Sequence, residues 1–165
     1  MIDSGVSDCE KIIESTLLND GYAPSEVKAV FLTHAHPDHI GTAAYFREKY
    51  GAEIYCSAGE RVWIENIDKQ FAERPIPDFY KLAGKSVTID HIVKDGDVVG
   101  INDDISIEVI STPGHSKDEA SYRIGDMVFV GDVIPVKGDI PILVDTEAAK
   151  ISLSKLEGLQ GVNVF

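Results

Sequence analysis

An apolar run, Val30-Phe31-Leu32, breaks after Thr33 into His34-Ala35-His36-Pro37-Asp38-His39, and a helical pattern starts at once behind it. Four potential metal ligands therefore stand where a strand gives way to a helix. In extended chain alternate side chains share a face, so His34 and His36 can reach one ion, while Asp38 and His39 lie past the bend and can face a second. Two adjacent metal ions are the natural reading of this spacing.

The flanking sequence predicts the frame that holds this junction. Val27 to Thr33 reads as a buried strand delivering His34, and Pro37 to Tyr50 reads as one helix closed by Gly51. Ala52 to Cys56 then gives a second strand, completing a β-loop-α-β unit with parallel strands. Ahead of it, Ser7-Asp8-Cys9-Glu10 has the spacing of a capping box. It precedes Ile12, Ile13, Leu17 and Leu18, which predicts a helix packed on a sheet and stopped by Gly21. Residues 59 to 85 read as helical and loop material over the site. Trp63, Phe71, Phe79 and Tyr80 there are candidates for a pocket wall, although core packing is the commoner role of such residues.

From Val87 the pattern becomes β-like. Val87 to Val93, Val98-Val99 and Ile105 to Ile110, separated by the turns Lys94-Asp95-Gly96-Asp97 and Asn102-Asp103-Asp104, predict an antiparallel meander. Gly125-Asp126 predicts a tight hairpin between Tyr122 to Ile124 and Met127 to Val130. Two further ligand-type residues each follow a strand and a glycine: His115 in Thr112-Pro113-Gly114-His115, and Asp132 in Phe129-Val130-Gly131-Asp132.

A length of 165 residues with 44% hydrophobic content fits one α/β domain over residues 1–165 with a sizeable core. The 28 acidic against 15 basic residues give a formal charge of −13, which repels phosphate backbones and points to a small-molecule substrate rather than a nucleic acid. No charged leader with an apolar run and no stretch of about 20 apolar residues is present, so the expectation is a cytoplasmic protein without a membrane partner. Cys9 and Cys56 form no C-x-x-C pair and read as ordinary semi-buried thiols.

Taken in order, Ile2-Asp3-Ser4-Gly5, the H-x-H-x-D-H stretch, Thr112-Pro113-Gly114-His115-Ser116 and Phe129-Val130-Gly131-Asp132 resemble the signatures of the metallo-β-lactamase superfamily over nearly the whole chain. The resemblance implies an αββα sandwich. It places His34, His36 and His115 on one metal ion, Asp38 and His39 on a second, and Asp132 between both, with Asp3 orienting a ligand. It implies zinc, two ions per chain, with iron or manganese as alternatives. Two Lewis acids sharing a water bring its pKa toward neutrality and place a hydroxide for attack, and Asp38 beside it is the candidate catalytic proton acceptor. His91 matches no signature and reads as a surface residue.

The activity implied is hydrolysis of a small ester, thioester or lactone, similar to glyoxalase II. The alternatives are a mononuclear iron persulfide dioxygenase on His34, His115 and Asp132, and an incomplete or inactive binding module. Members usually carry a strand pair before the Ile2-Asp3-Ser4-Gly5 turn and a seventh ligand, a final His, after a helix and strand like Thr146 to Leu159 and Val162 to Phe165. Here the turn opens the sequence and no His follows His115. The expectation is a short N-terminal sheet and one of two cases: a chain truncated at both ends, whose missing strands carry the final ligand and whose uncovered sheet edges invite association, or an altered family pattern in which the second metal binds weakly.

Overall fold

The computed structural model describes residues 1–135 and 141–165. Strand β1 (Ala29–Phe31) divides its side chains between two apolar layers. Val30, and Leu32 just beyond, enter one layer, while Ala29 and Phe31 enter the other. β2 (Glu53–Ser57) does the same, with Ile54 and Cys56 on the first side and Tyr55 on the second. Strands that are apolar on both faces need cover on both, and that requirement builds the layers.

β1 pairs with β2, and β2 with β3 (His91–Val93), all parallel, and a single parallel bridge adds Ile2 beside Phe31. The second sheet runs β4 (Val98–Gly100), β5 (Ser106–Ser111), β6 (Ala120–Ile124), β7 (Met127–Phe129) and β8 (Asn163–Val164). Its pairs are antiparallel except the last, which is parallel. Ile107, Val109, Ala120 and Tyr122 meet Phe31, Tyr55 and Val93 between the sheets. On the far face Ile110, Val128 and Val130 pack on Leu156 of the C-terminal helix (Thr146–Glu157).

The outer face of the first sheet is covered by α1 (Glu10–Asn19), α3 (Ala43–Tyr50), α4 (Arg61–Ile64), α5 (Ile67–Glu73) and α6 (Phe79–Ala83), with the one-turn α2 (Pro37–Ile40) at its edge. The C-terminal helix is α7. The result is an αββα sandwich. No helix among the described residues is long and apolar enough to cross a membrane.

Three local expectations are corrected. His91–Val93 joins the parallel sheet rather than the antiparallel meander. The His91 ring stacks on Tyr55 at 4.4 Å, Val93 fills the layer between the sheets, and the turn at 94–97 carries the chain across to the second sheet. The capping box is not made. Asp8 in the left-handed region (φ 66°) starts α1 at Cys9, Ser7 gives its N–H to the Leu82 carbonyl, and only Ile13 and Leu17 of the four apolar residues reach the core. The expected helix from Pro37 to Tyr50 is two helices, because the Gly41 N–H is taken by the Gly5 carbonyl (2.7 Å) and the Thr42 hydroxyl by the Ser4 carbonyl (2.7 Å).

That contact has no room for a side chain. A Cβ on Gly41 would lie 2.2 Å from the Ser7 nitrogen and 2.3 Å from the Val6 carbonyl carbon, both backbone atoms that cannot rotate away. Gly41→Ala is expected to cost about 3 kcal/mol or more in urea unfolding. Gly100→Ala, whose Cβ would meet nothing within 4 Å, is expected to stay within about 0.5 kcal/mol of the unsubstituted protein. Equal effects of the two would show that the turn at Gly5 does not rest on Gly41 in solution.

Candidate metal centre

The loop leaving β1 carries His34 and His36, and α2 begins at Pro37 with His36 as its N-cap, so the bend turns His39 back toward the sheet. His34 Nε2 lies 2.9 Å from His36 Nδ1, and His115 Nε2 lies 2.7 Å from the same atom. Three ring nitrogens thus converge from two loops far apart in sequence. These separations are shorter than the roughly 3.3–3.4 Å that two ligands of one ion keep, so the rings would have to open by about 0.4–0.7 Å to hold one.

The outer nitrogens set which atoms face inward. Asp3 accepts from the Thr33 N–H (2.7 Å), the Thr33 hydroxyl (2.8 Å) and His39 Nδ1 (2.8 Å). Since the Thr33 proton goes to Asp3, its oxygen accepts from His34 Nδ1–H at 2.9 Å, which leaves His34 Nε2 with a lone pair. His115 Nδ1–H likewise donates to the Ile142 carbonyl at 2.7 Å. Second partners of this kind fix the ring and tautomer of a ligating histidine.

Burial drives the electrostatics. It lowers His34 well below the usual histidine range, helped by the neighbouring rings and Arg74; burial and then Arg74 bring His36 to about 3; burial also lowers His115. All three are neutral at pH 7, and His34 and His115 turn lone pairs inward; with the Arg74 guanidinium donating to His36 Nε2, the His36 proton sits on Nδ1 between them, and a cation would have to displace it. Burial would lower His39 too, but hydrogen bonds to Asp132 and Asp3 outweigh it and raise the ring to about 10. The same pairing with His39 lowers Asp132.

Two overlapping sets of ligand atoms come within 4.8 Å of one another: His34, His36 and His115, and His34, His39 and Asp132. Asp132 stands between them, 3.4 Å from His39 Nε2 and 3.5 Å from His115 Nε2. Asp38 joins neither set. Its carboxylate is 55% exposed at the rim, 3.9 Å from His39 Nε2. His91 is exposed and paired with Glu53 at 3.1 Å.

Sequence reading passed over the groups that hold these loops in place. Glu60, buried at the start of α4, accepts the Ala35 N–H on Oε2 (2.9 Å), and the Ser116 hydroxyl (2.7 Å) and Asp118 N–H (3.1 Å) on Oε1. Gln70 donates to the Ala35 carbonyl at 2.6 Å, so the residue between His34 and His36 is clamped on both sides. Arg74, at the end of α5, brings a guanidinium against His36 Nε2. The only signal for Glu60 was an acidic residue just after a strand, which describes most solvated loops equally well.

Glu119 was also missed. Fully buried, it accepts the Asp132 N–H on Oε1 at 2.8 Å, while Oε2 has no partner among the described residues. Burial, with the charges of Asp132 and Glu60, pushes it from an ordinary 4.5 up to about 8. Between those values the unfolded chain has lost a proton that the folded chain keeps, so this group's contribution falls as pH rises from about 4.5 to about 8 and is level outside that window. Metal-free Glu119→Gln keeps an acceptor for Asp132 and cannot ionise. Its urea midpoint is expected to equal that of the unsubstituted protein near pH 4 and to exceed it at pH 8; equal midpoints at both values would show an ordinary carboxylate.

An αββα sandwich with a buried histidine cluster at the ends of its central strands defines a metal-binding protein. Residues 1–163 match the sequence model of the metallo-beta-lactamase superfamily. The chain belongs to that superfamily. It is 33% identical over 111 residues to a probable metallo-hydrolase of Bacillus subtilis, covering 64% of this chain and 49% of that protein. A probable metallo-hydrolase of Methanocaldococcus jannaschii is 28% identical over 166 residues, covering 97% of this chain and 66% of its own length. A hydroxyacylglutathione hydrolase of Thiobacillus denitrificans is 27% identical over 107 residues, covering 64% and 32%. Among solved structures, the subclass B3 metallo-beta-lactamase BJP-1 of Bradyrhizobium japonicum superposes with a TM-score of 0.77 at 19% identity, covering 99% of this chain and 65% of that one, a likeness of fold. The chain thus spans about half to two thirds of the length of the first two of these relatives.

Proposed function

We propose that this chain carries the metal centre of a hydrolase acting on a small ester, thioester or lactone, with zinc as the metal. The observation that carries the reading is the convergence of His34 Nε2, His36 Nδ1 and His115 Nε2. Two of these rings have their outer N–H groups held by Thr33 and Ile142. Neutral imidazoles backed by a second set, Asp132 with His39, whose ring would give up its extra proton on binding, form a donor set that suits zinc and also iron or manganese. Asp132 lies between the two sets, as a residue shared by two ions would, and Asp38 on the rim is their neighbour.

A divalent ion held there supplies an acidified water and an electrophile for a carbonyl oxygen. The chain's own residues do the rest. Asp3 holds His39 by Nδ1 directly and His34 through the Thr33 hydroxyl, so one carboxylate orients a member of each set. Gln70, Ile76, Phe79 and Ile142 line the sides of a cleft of about 210 Å³ beside His36, His115 and Asp132, which suits a small molecule. Asp38 lines the same cleft with an exposed carboxylate, in position to take a proton from an attacking water. The relatives that are hydrolases by name support the same class of reaction.

The test is elemental analysis of protein purified without added metal, followed by assays on thioester, lactone and aryl ester panels before and after chelation. One or two equivalents of zinc, with hydrolysis lost to chelator and restored by zinc, is the expected result. Failure to take up zinc on titration, or iron as the dominant metal with no hydrolysis of any panel member, overturns the reading.

A further inference from the structure

Of the four arginines in the chain, three hold a carboxylate: Arg47 with Asp90, Arg61 with Glu65 and Arg123 with Glu108. Arg74 has no carboxylate within 4 Å among the described residues, in a protein of formal charge −13. It lines the cleft at the metal centre and also a second cleft of about 260 Å³. The second cleft adds two cations, Lys69 and Lys117, and an apolar wall of Val62, Trp63 and Val144.

Both carboxylates of that cleft are already engaged. Glu60 is taken up by Ala35, Ser116 and Asp118, and Glu73 by the Trp63 indole N–H (2.7 Å) and Lys69 (3.2 Å). Arg74 and Lys117 form no ion pair within 4 Å among the described residues, although Lys117 is near enough to Glu73 to help lower its carboxyl, and both stand beside apolar surface. A guanidinium presents a fork of donors that matches a carboxylate or phosphate, and the single contact to His36 leaves most of that fork unused.

We infer that Arg74 and Lys117 form a subsite for a compact oxyanion, a carboxylate or phosphate, carried on an apolar stem that lies against Trp63, Val62 and Val144. Its role as a substrate subsite rests on the hydrolase reading, since Arg74 joins the two clefts and would bind one end of a molecule whose reacting carbonyl lies at the histidines. The binding itself is independent of turnover. The substrates selected are esters or thioesters with a negative charge on one arm.

Trp63 is the only tryptophan and lines the second cleft, so its fluorescence reports occupancy without any reaction. The full chain, metal-loaded and metal-stripped, is titrated with hexanoate, hexyl phosphate, hexanol and hexylamine. The two anions are expected to bind at least roughly tenfold more tightly than the alcohol and the amine, the scale of one charged hydrogen bond, in both metal states. The double variant Arg74→Gln, Lys117→Gln should lose that preference while keeping its affinity for hexanol. If Arg74→Gln does not fold, Lys117→Gln alone, at an exposed position, should lose part of the preference.

Equal affinity for the four probes overturns the inference. So does anion binding that survives the double variant and disappears on metal stripping, because the ion would then be the anion's partner. A protein that binds the anions through Arg74 and Lys117 but hydrolyses no ester retains the subsite and loses the hydrolase reading.

Discussion

If the proposed zinc hydrolase reading holds, His36→Ala is expected to remove bound zinc and hydrolysis together, while His91→Ala is expected to leave both at the level of the unsubstituted protein. His36 Nδ1 is the atom on which the centre closes, 2.9 Å from His34 Nε2 and 2.7 Å from His115 Nε2, so its loss leaves two nitrogens from different loops with nothing between them. Losing an outer partner of a ligand typically costs 10–100-fold in metal affinity, and loss of a ligand itself is expected to exceed roughly 100-fold. His91 is a fair control because it is also a histidine, on β3 of the sheet whose β1 leads into His36, but it stacks on Tyr55 and pairs with Glu53 at the surface. Zinc content after dialysis and initial rates on the best ester read the result. Full zinc content in His36→Ala, or loss of zinc in His91→Ala, would sink the ligand assignment.

Glu60→Gln separates the loops without touching a ligand. The carboxylate accepts three hydrogen bonds, one from the loop carrying His34 and His36 and two from the loop carrying His115. A glutamine offers one acceptor oxygen and one NH2 group. If the amide nitrogen replaces Oε2 it faces the Ala35 N–H; if it replaces Oε1 it faces the Asp118 N–H. In either orientation a donor is left against a donor in a buried place, at a cost of about 1–3 kcal/mol. The two loops then no longer share an anchor, and zinc affinity is expected to fall roughly 10–100-fold. Chelator competition measures the affinity, and thermal unfolding of the metal-free protein measures the packing loss. A lower unfolding temperature with zinc affinity within twofold would make Glu60 a fold residue only.

The frame of the fold was legible in the chain because β1, β2 and the helices around them are short-range patterns. The unbroken apolar run Val30-Phe31-Leu32 already implied a buried strand, and the hairpin at Gly125-Asp126 is local chemistry. Expectations failed where a distant backbone group outcompeted a local one. Gly5 takes the Gly41 N–H and splits a helix that periodicity joined, and β2 captures His91–Val93 from the meander its sequence suggests.

For the candidate site, the sequence by itself carries the donor types and their order, because the candidate residues lie in compact motifs at strand ends. His34, His36, His39, His115 and Asp132 do come together in the structure. Only the tertiary structure decided which atoms face inward, that Asp38 stands 3.9 Å off at the rim, and that Glu60, Gln70, Glu119 and Arg74 surround the centre. The physical reason is separation along the chain. A ligand motif is written within six residues, whereas a buried carboxylate 25 residues from one loop and 56 from the other has meaning only when folding brings both to it.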